Sequence, residues 1–542
     1  MKIKSYIPLF LLLTIGMVSI TGCQKGDLVD NPNVAGPNSI LPLPLLVNHL
    51  TANLIRTSEL PWGTCTVAEQ YVVANYSYYR GSNNYNFGSS TDSYDILKYA
   101  LSLEQQSIKQ QNGQNNKYYA LSQFFKAYAG IWLTQRVGDI PFSQAGSSTI
   151  LTPKYDTQHD IYKSALTMLD NANTILGKLI TATPALANTT IDTGDIFGLT
   201  YLQWQKLINT YRLRVLISLS KRAVDNADLQ VIQQFATIIN TPAQYPIMAS
   251  NKDNMVYVFN ATNRYPTYSL GYNPYNNFAN PGATYLNITT ATLDPRTFVL
   301  TTPALAPVAG GKAISDFTAY VGSDINQSQP TLLNNSNSGL YSFSNYTKYY
   351  TSATGANAEP FIFIGYPEMC FNIAEGINRG WVSGSSTTWY NNGITASIAN
   401  YGLTDGQTLT ITFPVTSTDP VINPKGLAQG ATWGTATVNI PQFLANVVYA
   451  GDNATGLTQI LTQKYVAMCN NSGWEAFYNY RRTGIPAFAQ GGPGIGTPNN
   501  QIPRRWLYPA SEASTNTSNY QSALTSQFGG SDDPTKDTWL TK

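Results

Sequence analysis

Apolar residues recur at helical spacing in several long stretches of the chain, and the first covers residues 116–145. Its apolar side chains share one helical face: Leu121, Phe125, Tyr128 and Trp132. Spacings of three and four residues are typical of a helix that packs one side against a core. Gly138 and Pro141 follow, and both residue types end helices. The pattern predicts a long core-facing helix that ends near residue 138.

Two further helices follow this one. The stretch 157–176 opens with Thr157 and Asp160 at capping-box spacing, and its apolar positions then repeat every three to four residues. The stretch 201–222 has the same periodicity, with Trp204 and Tyr211 on the apolar face. The three helices begin about forty residues apart, a spacing typical of stacked helix pairs, although no tetratricopeptide consensus is legible.

Helical patterns return near the C-terminal end, at 366–381, 387–402 and 457–482. Between the two helical parts the chain is irregular: Pro, Gly, Asn and Tyr dominate residues 241–360, and 402–438 and 483–518 also resemble loops. Long loops in a compact protein are usually functional. We therefore expect a mainly α-helical scaffold that displays loop-rich insertions.

The N-terminus admits three interpretations. Lys2 and Lys4 precede an apolar run of roughly fifteen residues, which is short for a membrane-spanning helix but suits a secretory signal peptide. The sequence "ITGC" at 20–23 also resembles the lipobox of bacterial lipoproteins, in which the cysteine is acylated and becomes the new N-terminus. We interpret 1–22 as a lipoprotein signal peptide, 23–40 as a tether lipidated (palmitoylated) at Cys23, and 41–542 as one domain.

Composition excludes several classes of function. Only 11% of residues are charged, against roughly 25% in an average globular chain, and the net charge is +2, so a nucleic-acid partner is not expected. With Cys23 acylated three cysteines remain, without the spacing of a disulfide framework or a metal site. The two histidines, His49 and His159, are far apart and are not expected to be catalytic. We predict no cofactor and no metal.

Four blocks of sequence carry a resemblance to a known family. They are "YYALSQFFKAYAGIWLTQRVGDIPFSQA" at 118–145, "LDPR" at 293–296, "YPEMCFNIAEGINRGW" at 366–381 with "YNNGI" at 390–394, and "QKYVAMCNNSGWEAFYNYRRTGIP" at 463–486 followed by "IPRRWLYPASEASTNTSNYQSAL" at 502–524. In order and spacing they resemble the SusD/RagB family of outer-membrane nutrient-binding lipoproteins from Bacteroidota, in its SusD-like branch.

The resemblance implies a scaffold of tetratricopeptide-like helix pairs with a loop-rich part that carries the ligand site. It also implies a non-enzymatic, outer-membrane lipoprotein that faces the cell exterior, captures a glycan and delivers it to a SusC-like TonB-dependent transporter. An oligopeptide cargo is the nearest alternative. A glycoside hydrolase is the alternative from another class of protein.

Two aromatic segments are the candidate ligand site. Sugars stack on aromatic rings and bond to amides and guanidinium groups, and both segments offer these groups in Gly-, Asn- or Pro-rich chain. The first consists of Tyr76, Tyr78, Tyr79, Arg80, Asn83, Asn84 and Tyr85. The second consists of Arg264, Tyr265, Tyr268, Tyr272 and Tyr275, with Asn276 beside them. We expect at least two residues of the first segment to contact ligand; the alternative is that many of these tyrosines pack in the core.

Glu368 and Glu375 test the hydrolase alternative, because seven residues of helix place them on one face. They lie among apolar neighbours, so we expect structural carboxylates that pair with arginines, for which Arg481–Arg482 and Arg504–Arg505 are candidates. Trp381 and Trp389 also adjoin scaffold sequence, so we expect them to pack in the core. The run "GGPGIG" at 491–496 is predicted to be a loop and not a phosphate site.

Overall fold

The computed structural model describes residues 39–88, 92–268, 277–352 and 356–542. The predicted signal peptide, Cys23 and nearly all of the tether lie outside the described residues. So do Tyr272, Tyr275 and Asn276 of the second aromatic segment, and the side chains of Tyr79 and Arg80 are not described.

Helices make up most of the regular structure. The α-helices are α1 Leu43–Ala52, α2 Thr64–Ala68, α3 Ser77–Arg80, α4 Asp92–Gln110, α5 Lys117–Val137, α6 Gln158–Ala182, α7 Tyr201–Ser218, α8 Val231–Asn240, α9 Ala283–Ala291, α10 Arg296–Leu300, α11 Leu305–Ala309, α12 Gln329–Asn337, α13 Tyr346–Tyr349, α14 Tyr366–Asn378, α15 Ser386–Asn400, α16 Ile440–Asn446, α17 Ala454–Ala467, α18 Glu475–Thr483, α19 Glu512–Thr515 and α20 Thr517–Phe528. The strands are β1 Val72–Ala74, β2 Met255–Tyr257, β3 Ala279–Pro281, β4 Thr301–Thr302, β5 Phe343–Ser344, β6 Phe361–Ile364, β7 Thr408–Thr412 and β8 Thr432–Thr437.

The three helices predicted from the first half of the chain are confirmed as α5, α6 and α7. Gly138 follows α5 with φ 100°, a conformation that glycine adopts easily, so it ends the helix as expected. Thr157 caps α6 by accepting from the backbone N–H of Asp160. Consecutive helices from α4 to α7 pack on one another, and they form the first half of the scaffold.

The second half of the scaffold is built on α14, which packs against α15 and α17 and also contacts α7. Gly393 allows the close approach of α15, because a Cβ there would lie 2.8 Å from the Phe371 ring of α14, and Gly376 of α14 leaves room for the Phe235 ring of α8, which a Cβ would approach to 2.4 Å. Trp381 is buried and Trp389 is partly buried, as the sequence predicts. The protein is thus a mainly α-helical scaffold.

Short antiparallel strand pairs organise the segment between the two halves. β1 pairs with β3, β2 with β6 and β4 with β5, so loops distant in sequence are held side by side. The expectation of loops over 402–438 is wrong in one respect, because β7 and β8 form a hairpin there. The sequence "TLTIT" of β7 alternates polar and apolar residues, and Ile411 of β7 and Ala436 of β8 are buried on the inner face of the hairpin.

Both helix carboxylates predicted to be structural are buried and paired with arginine. Glu368 accepts from Arg214 at 2.7 and 2.5 Å, and Glu375 accepts from Arg482 and Arg379. Burial alone would raise the pKa of Glu375, but the two guanidinium groups lower it to about 2. Neither carboxylate is available as a catalytic acid or base in this arrangement.

No helix among the described residues is both long and apolar enough to cross a membrane. Cys370 and Cys469 are buried thiols, as predicted, and burial raises the pKa of Cys370 to about 12. His49 contacts Asp95, and His159 contacts Asp160 and Asp228, all in partly exposed surroundings.

Candidate functional site

A cleft of about 740 Å³ opens beside the start of the scaffold. Its walls come from four parts of the chain: residues 57–68 around α2, residues 81–87 after α3, Pro266 and Thr267, and aromatic residues from the helical core. β1–β3 pairing places the segment after β1 next to the segment before β3, and Tyr76 and Phe278 meet there with ring centroids 4.9 Å apart. The cleft therefore depends on tertiary contacts between distant segments.

Residues 82–87 form the rim of the cleft in an extended conformation with strict alternation. Asn83, Tyr85 and Phe87 point inward and are buried, whereas Ser82, Asn84 and Asn86 are exposed. A period of two is the signature of an extended chain. The inward residues fix the segment: Asn83 exchanges two 2.7 Å hydrogen bonds with the backbone of Ala74, as a neighbouring strand would. The outward residues give the cleft an uncharged, hydroxyl- and amide-bearing edge.

Aromatic side chains form the floor of the cleft. Trp506 stacks on Phe87 with a centroid distance of 4.1 Å, and Trp474 meets Trp506 edge-on at 5.0 Å. Trp62 and Trp132 complete the lining, and each of these five rings is less than 10% exposed. The floor rings therefore expose little surface, whereas Tyr78, on α3 just before the rim, is 80% exposed.

Trp62 reaches this position through a left-handed backbone, with φ 62°. Such a conformation costs roughly 1–2 kcal/mol for a residue with a Cβ. The Trp62 backbone N–H donates to Asn470 Oδ1 at 3.1 Å, and its indole N–H donates to the Tyr265 hydroxyl at 2.9 Å. Strained residues held in place by such contacts are common at binding sites.

Arg136 supplies the positive charge beneath the cleft. Its guanidinium carbon lies 3.4 Å from the centroid of the Trp132 ring, and its Nη2 lies 3.3 Å from Glu59 Oε1. The side chain is 4% exposed, and its Nε and Nη1 have no hydrogen-bond partner among the described residues. An unpaired buried donor is costly, so Arg136 is a charged group that the fold keeps beneath the cleft at some expense in stability.

The first predicted segment follows the edge of this cleft. Asn83, Asn84 and Tyr85 line it, Tyr78 lies on α3 before it, and Tyr76 is the extended residue that precedes α3. Tyr85 is 4% exposed and its hydroxyl donates to Ala68 O and accepts from Gln70 Nε2, so it supports the rim from within. Burial raises the pKa of Tyr85 well above its usual range.

The second predicted segment approaches the same cleft from the other side. Tyr265 is buried beneath Trp62, Arg264 is exposed and Tyr268 is half-buried, next to the lining residues Pro266 and Thr267. The structure thus brings the two predicted segments to one cleft, although their buried members hold other residues in place rather than offering free ring faces. The prediction that these residues bind ligand stays a prediction.

Sequence reasoning missed the tryptophans and the arginine of the floor as site residues. Trp62, Trp474 and Trp506 are separated by up to 444 positions, and Arg136 lies within the helix 117–137, where its position indicates only packing. One local signal was available: "PWG" at 61–63 places Trp62 between two residues that disfavour a helix, so its ring was not part of a helical face.

No group of three or more potential metal ligands occurs in the part of the chain that the structure describes. The charged groups near the cleft, Arg136 and Glu59, are buried and paired with each other. The exposed lining is hydroxyl, amide and aromatic, which suits neutral hydroxyl-rich ligands better than anions.

Comparison with known proteins identifies a family of similar sequences and several similar folds. The sequence model of the SusD-like family, described as starch-binding and associating with the outer membrane, matches residues 45–509. A SusD homolog from Bacteroides fragilis is 26% identical with a TM-score of 0.75, over 93% of this chain and 100% of that one. A second SusD homolog from the same species is 26% identical with a TM-score of 0.70, over 93% and 99% of the two chains.

Two other structures extend the comparison. An outer membrane protein from Bacteroides vulgatus, described in connection with nutrient binding, is 25% identical with a TM-score of 0.73 over 93% of this chain and 100% of that one. A chitin-binding protein is 23% identical with a TM-score of 0.64 over 92% and 99%, which shows a shared fold alone. No curated protein matches the chain at a significant level.

Proposed function

Because the chain belongs to the SusD-like family of starch-binding proteins that associate with the outer membrane, we propose that it captures neutral oligosaccharides at the cell surface. The captured glycan is then delivered to a SusC-like TonB-dependent transporter. The protein binds the glycan without cleaving it. Its anchor is the lipid on Cys23, for which the support is the lipobox-like "ITGC" at 20–23.

One observation carries the proposal for the ligand. Two segments that the sequence favours for their tyrosines and amides, 76–85 and 264–275, each contribute lining residues to a single cleft although nearly two hundred residues separate them: Asn83, Asn84 and Tyr85 from the first, and Pro266 and Thr267 from the described part of the second. The rim there is uncharged, the floor is aromatic and the buried Arg136 retains unpaired donors. Sugar hydroxyls would bond to the rim amides, and C–H faces would pack on the exposed ring of Tyr78.

The test uses exposed side chains on the rim and on α3 just before it, because their removal leaves the core intact. The mature chain carrying Tyr78→Ala, Asn84→Ala and Asn86→Ala together is compared with the wild type by affinity electrophoresis in soluble amylopectin, glycol chitin, arabinoxylan and β-glucan. We expect the triple variant to lose at least about tenfold in affinity for the retained polysaccharide, since each lost contact is worth on the order of 1 kcal/mol. Leu151→Ala, at an 85% exposed position away from the cleft, is the control and should bind as the wild type does.

Three results would count against the proposal. Retention of the wild type by none of these polysaccharides, with binding to a peptide pool, would favour the oligopeptide alternative. Release of reducing ends during incubation would favour the hydrolase alternative. Unchanged affinity in the triple variant would place the site elsewhere. Co-purification of the wild type with a TonB-dependent transporter from solubilised outer membranes tests the delivery step separately.

A further inference from the structure

A second cleft, of about 820 Å³, lies on the loop-rich part of the molecule. It forms where the end of α9, the turn 293–295, the short helix around Phe317 and the start of α16 meet the outer face of β8. None of its lining residues belongs to the first cleft. Its volume falls within the usual range for small-molecule sites.

The floor of this second cleft is built on a rigid turn. Asp294 and Arg296 form an ion pair whose side chains are fully buried, and Arg296 also donates to Gln463 and Ser397. This network holds Leu293 in a left-handed backbone, with φ 57°, and leaves its side chain half-buried at the cleft. Leucine adopts that conformation at a cost of roughly 1–2 kcal/mol, and strain of this kind is often retained at binding sites.

An aromatic surface stands above that turn. Phe317 is half-buried, and its ring centroid lies 4.5 Å from that of the buried Phe298, with Tyr320 behind at 5.4 Å from Phe298. The Tyr320 hydroxyl is satisfied by Ile314 O. Phe317 is thus held in a fixed position with part of its ring exposed to the cleft.

Hydroxyls and amides surround this ring. Thr435 and Thr437 are exposed on β8 on either side of the buried Ala436, because successive side chains of a strand point to opposite faces. Asn439 and Gln442 follow at the start of α16, where Asn439 Oδ1 caps the backbone N–H of Gln442. Asn287 and Thr290 on α9 complete the polar lining.

The charge of the cleft selects among ligands. Asp316 is the one carboxylic acid among its lining residues, and hydrogen bonds from Thr318 lower the pKa of its carboxyl. Lys312 Nζ donates to Thr318 Oγ1 at 2.7 Å, so one cation beside the cleft balances this carboxylate and leaves no excess of positive charge for an anionic ligand. A neutral polyol would find an acceptor in Asp316, donors in the amides and a ring face in Phe317.

We propose that this second cleft is an additional sugar-binding site that engages a separate stretch of the same polysaccharide. The inference rests on the proposed function, since it assigns the same class of ligand. Two modest sites on one protein give a polymer higher avidity than either site alone, whereas a short oligosaccharide occupies one site at a time. The second cleft would therefore raise the retention of the protein on polysaccharide. With short oligosaccharides it would raise the number bound per protein from one to two.

The test compares variants of the mature chain in the same four polysaccharide gels. Phe317→Ala with Gln442→Ala should weaken retention about tenfold, since avidity is lost. The control pairs Phe197→Ala with Gln111→Ala, which remove a half-buried phenylalanine and an exposed glutamine elsewhere. Thr437→Arg places a long side chain in the cleft from an exposed strand position and leaves the aromatic packing untouched. It should weaken retention as the Phe317/Gln442 double variant does.

A second measurement separates the inference from the function on which it rests. Calorimetric titration with an oligosaccharide of the retained polymer should give two sites for the wild type and one for each second-cleft variant. Wild-type retention by the gels, together with unchanged avidity and stoichiometry in Thr437→Arg and the Phe317/Gln442 double variant, would overturn the second site and leave the first intact. Absence of any retention of the wild type would overturn both.

Discussion

Arg482 donates through Nη2 to Glu375 Oε2 at 2.8 Å, and the two side chains are 5% and 0% exposed. The pair joins α18 to α14 and so ties the last block of the scaffold to the helix on which its second half is built. Arg379 contacts the same carboxylate at 2.8 Å but from the surface, with 25% of its side chain exposed. One carboxylate thus has a buried and a partly exposed arginine.

The unequal burial of these two arginines predicts unequal effects on stability. Arg482→Met should lower the free energy of unfolding by about 3–5 kcal/mol, because it leaves the Glu375 charge buried with its main partner gone. Arg379→Met is the matched control and should cost about 1 kcal/mol or less. Urea denaturation at pH 7 measures both. Equal losses would contradict the assignment of Arg482 as the main partner.

The lowered pKa of Glu375 predicts a loss of stability in acid. The carboxyl titrates at about 2 when folded and near 4.5 when unfolded, so its contribution is complete above pH 4.5 and falls as the pH drops toward 2. The difference corresponds to about 3 kcal/mol over that window. Glu375→Gln should flatten this part of the curve of unfolding free energy against pH. If the unfolding free energy of Glu375→Gln falls between pH 4.5 and pH 2 as steeply as that of the wild type, Glu375 is not the source of the acid sensitivity.

Glu69 should show the opposite dependence on pH. Burial raises the pKa of its carboxyl well above 4.5, although the backbone N–H of Phe477 donates to it at 3.2 Å. The folded state therefore holds a proton that the unfolded state releases, and stability falls as the pH rises above 4.5. Glu69→Gln keeps the shape and the acceptor oxygen, so it should stabilise the protein at pH 8 relative to the wild type and change little at pH 4. Thermal melts of the wild type and Glu69→Gln at pH 4 and pH 8 measure this difference. A variant that melts below the wild type at pH 8 would contradict the prediction.

Two helical glycines should respond differently to alanine. Alanine is favoured over glycine in a helix by about 1 kcal/mol, but at Gly376 the new methyl group would lie 2.4 Å from the buried Phe235 ring. We expect Gly376→Ala to destabilise by about 1–3 kcal/mol. At Gly177 the nearest atom is the end of the Gln205 side chain, at 3.0 Å, so Gly177→Ala should be neutral or stabilising. Chemical denaturation of both variants checks the difference.

The proposed lipid anchor makes a prediction for Cys23. In a bacterial host that processes lipoproteins, the wild type should incorporate labelled palmitate and fractionate with membranes. Cys23→Ala should lose both the label and the membrane association, since several acyl chains are needed for a stable anchor. Cys65→Ala, which removes a buried cysteine of the described domain, is the control and should retain the label. Palmitate in Cys23→Ala would contradict the assignment.

The helices of the scaffold were predictable because their signals are local. The face of α5, its end at Gly138 and the cap at Thr157 all lie within a few residues of the element that they define. The pairing of Glu375 with an arginine was predictable as a class, because a carboxylate among apolar residues needs a partner. The family blocks extended these local signals to the whole fold.

The hairpin β7–β8 shows the limit of such signals at short range. Its strands are five and six residues long in chain rich in Gly, Pro and Thr, and loop composition outweighed the alternation of "TLTIT". The pairing of β1 with β3 was not predictable at all, because its residues lie about two hundred positions apart and each strand has three residues.

The sequence by itself determined the helical scaffold, its boundaries and the two segments rich in tyrosine and amide that approach the candidate site. Only the tertiary structure decided which of their side chains are exposed, because Tyr85 and Tyr265 turn inward while Asn84 and Tyr78 stay at the surface. It also decided that Trp62, Trp474 and Trp506 share a floor with Arg136. Helix formation depends on neighbours in the chain, whereas a cleft depends on contacts between residues hundreds of positions apart, and these exist only once the chain has packed.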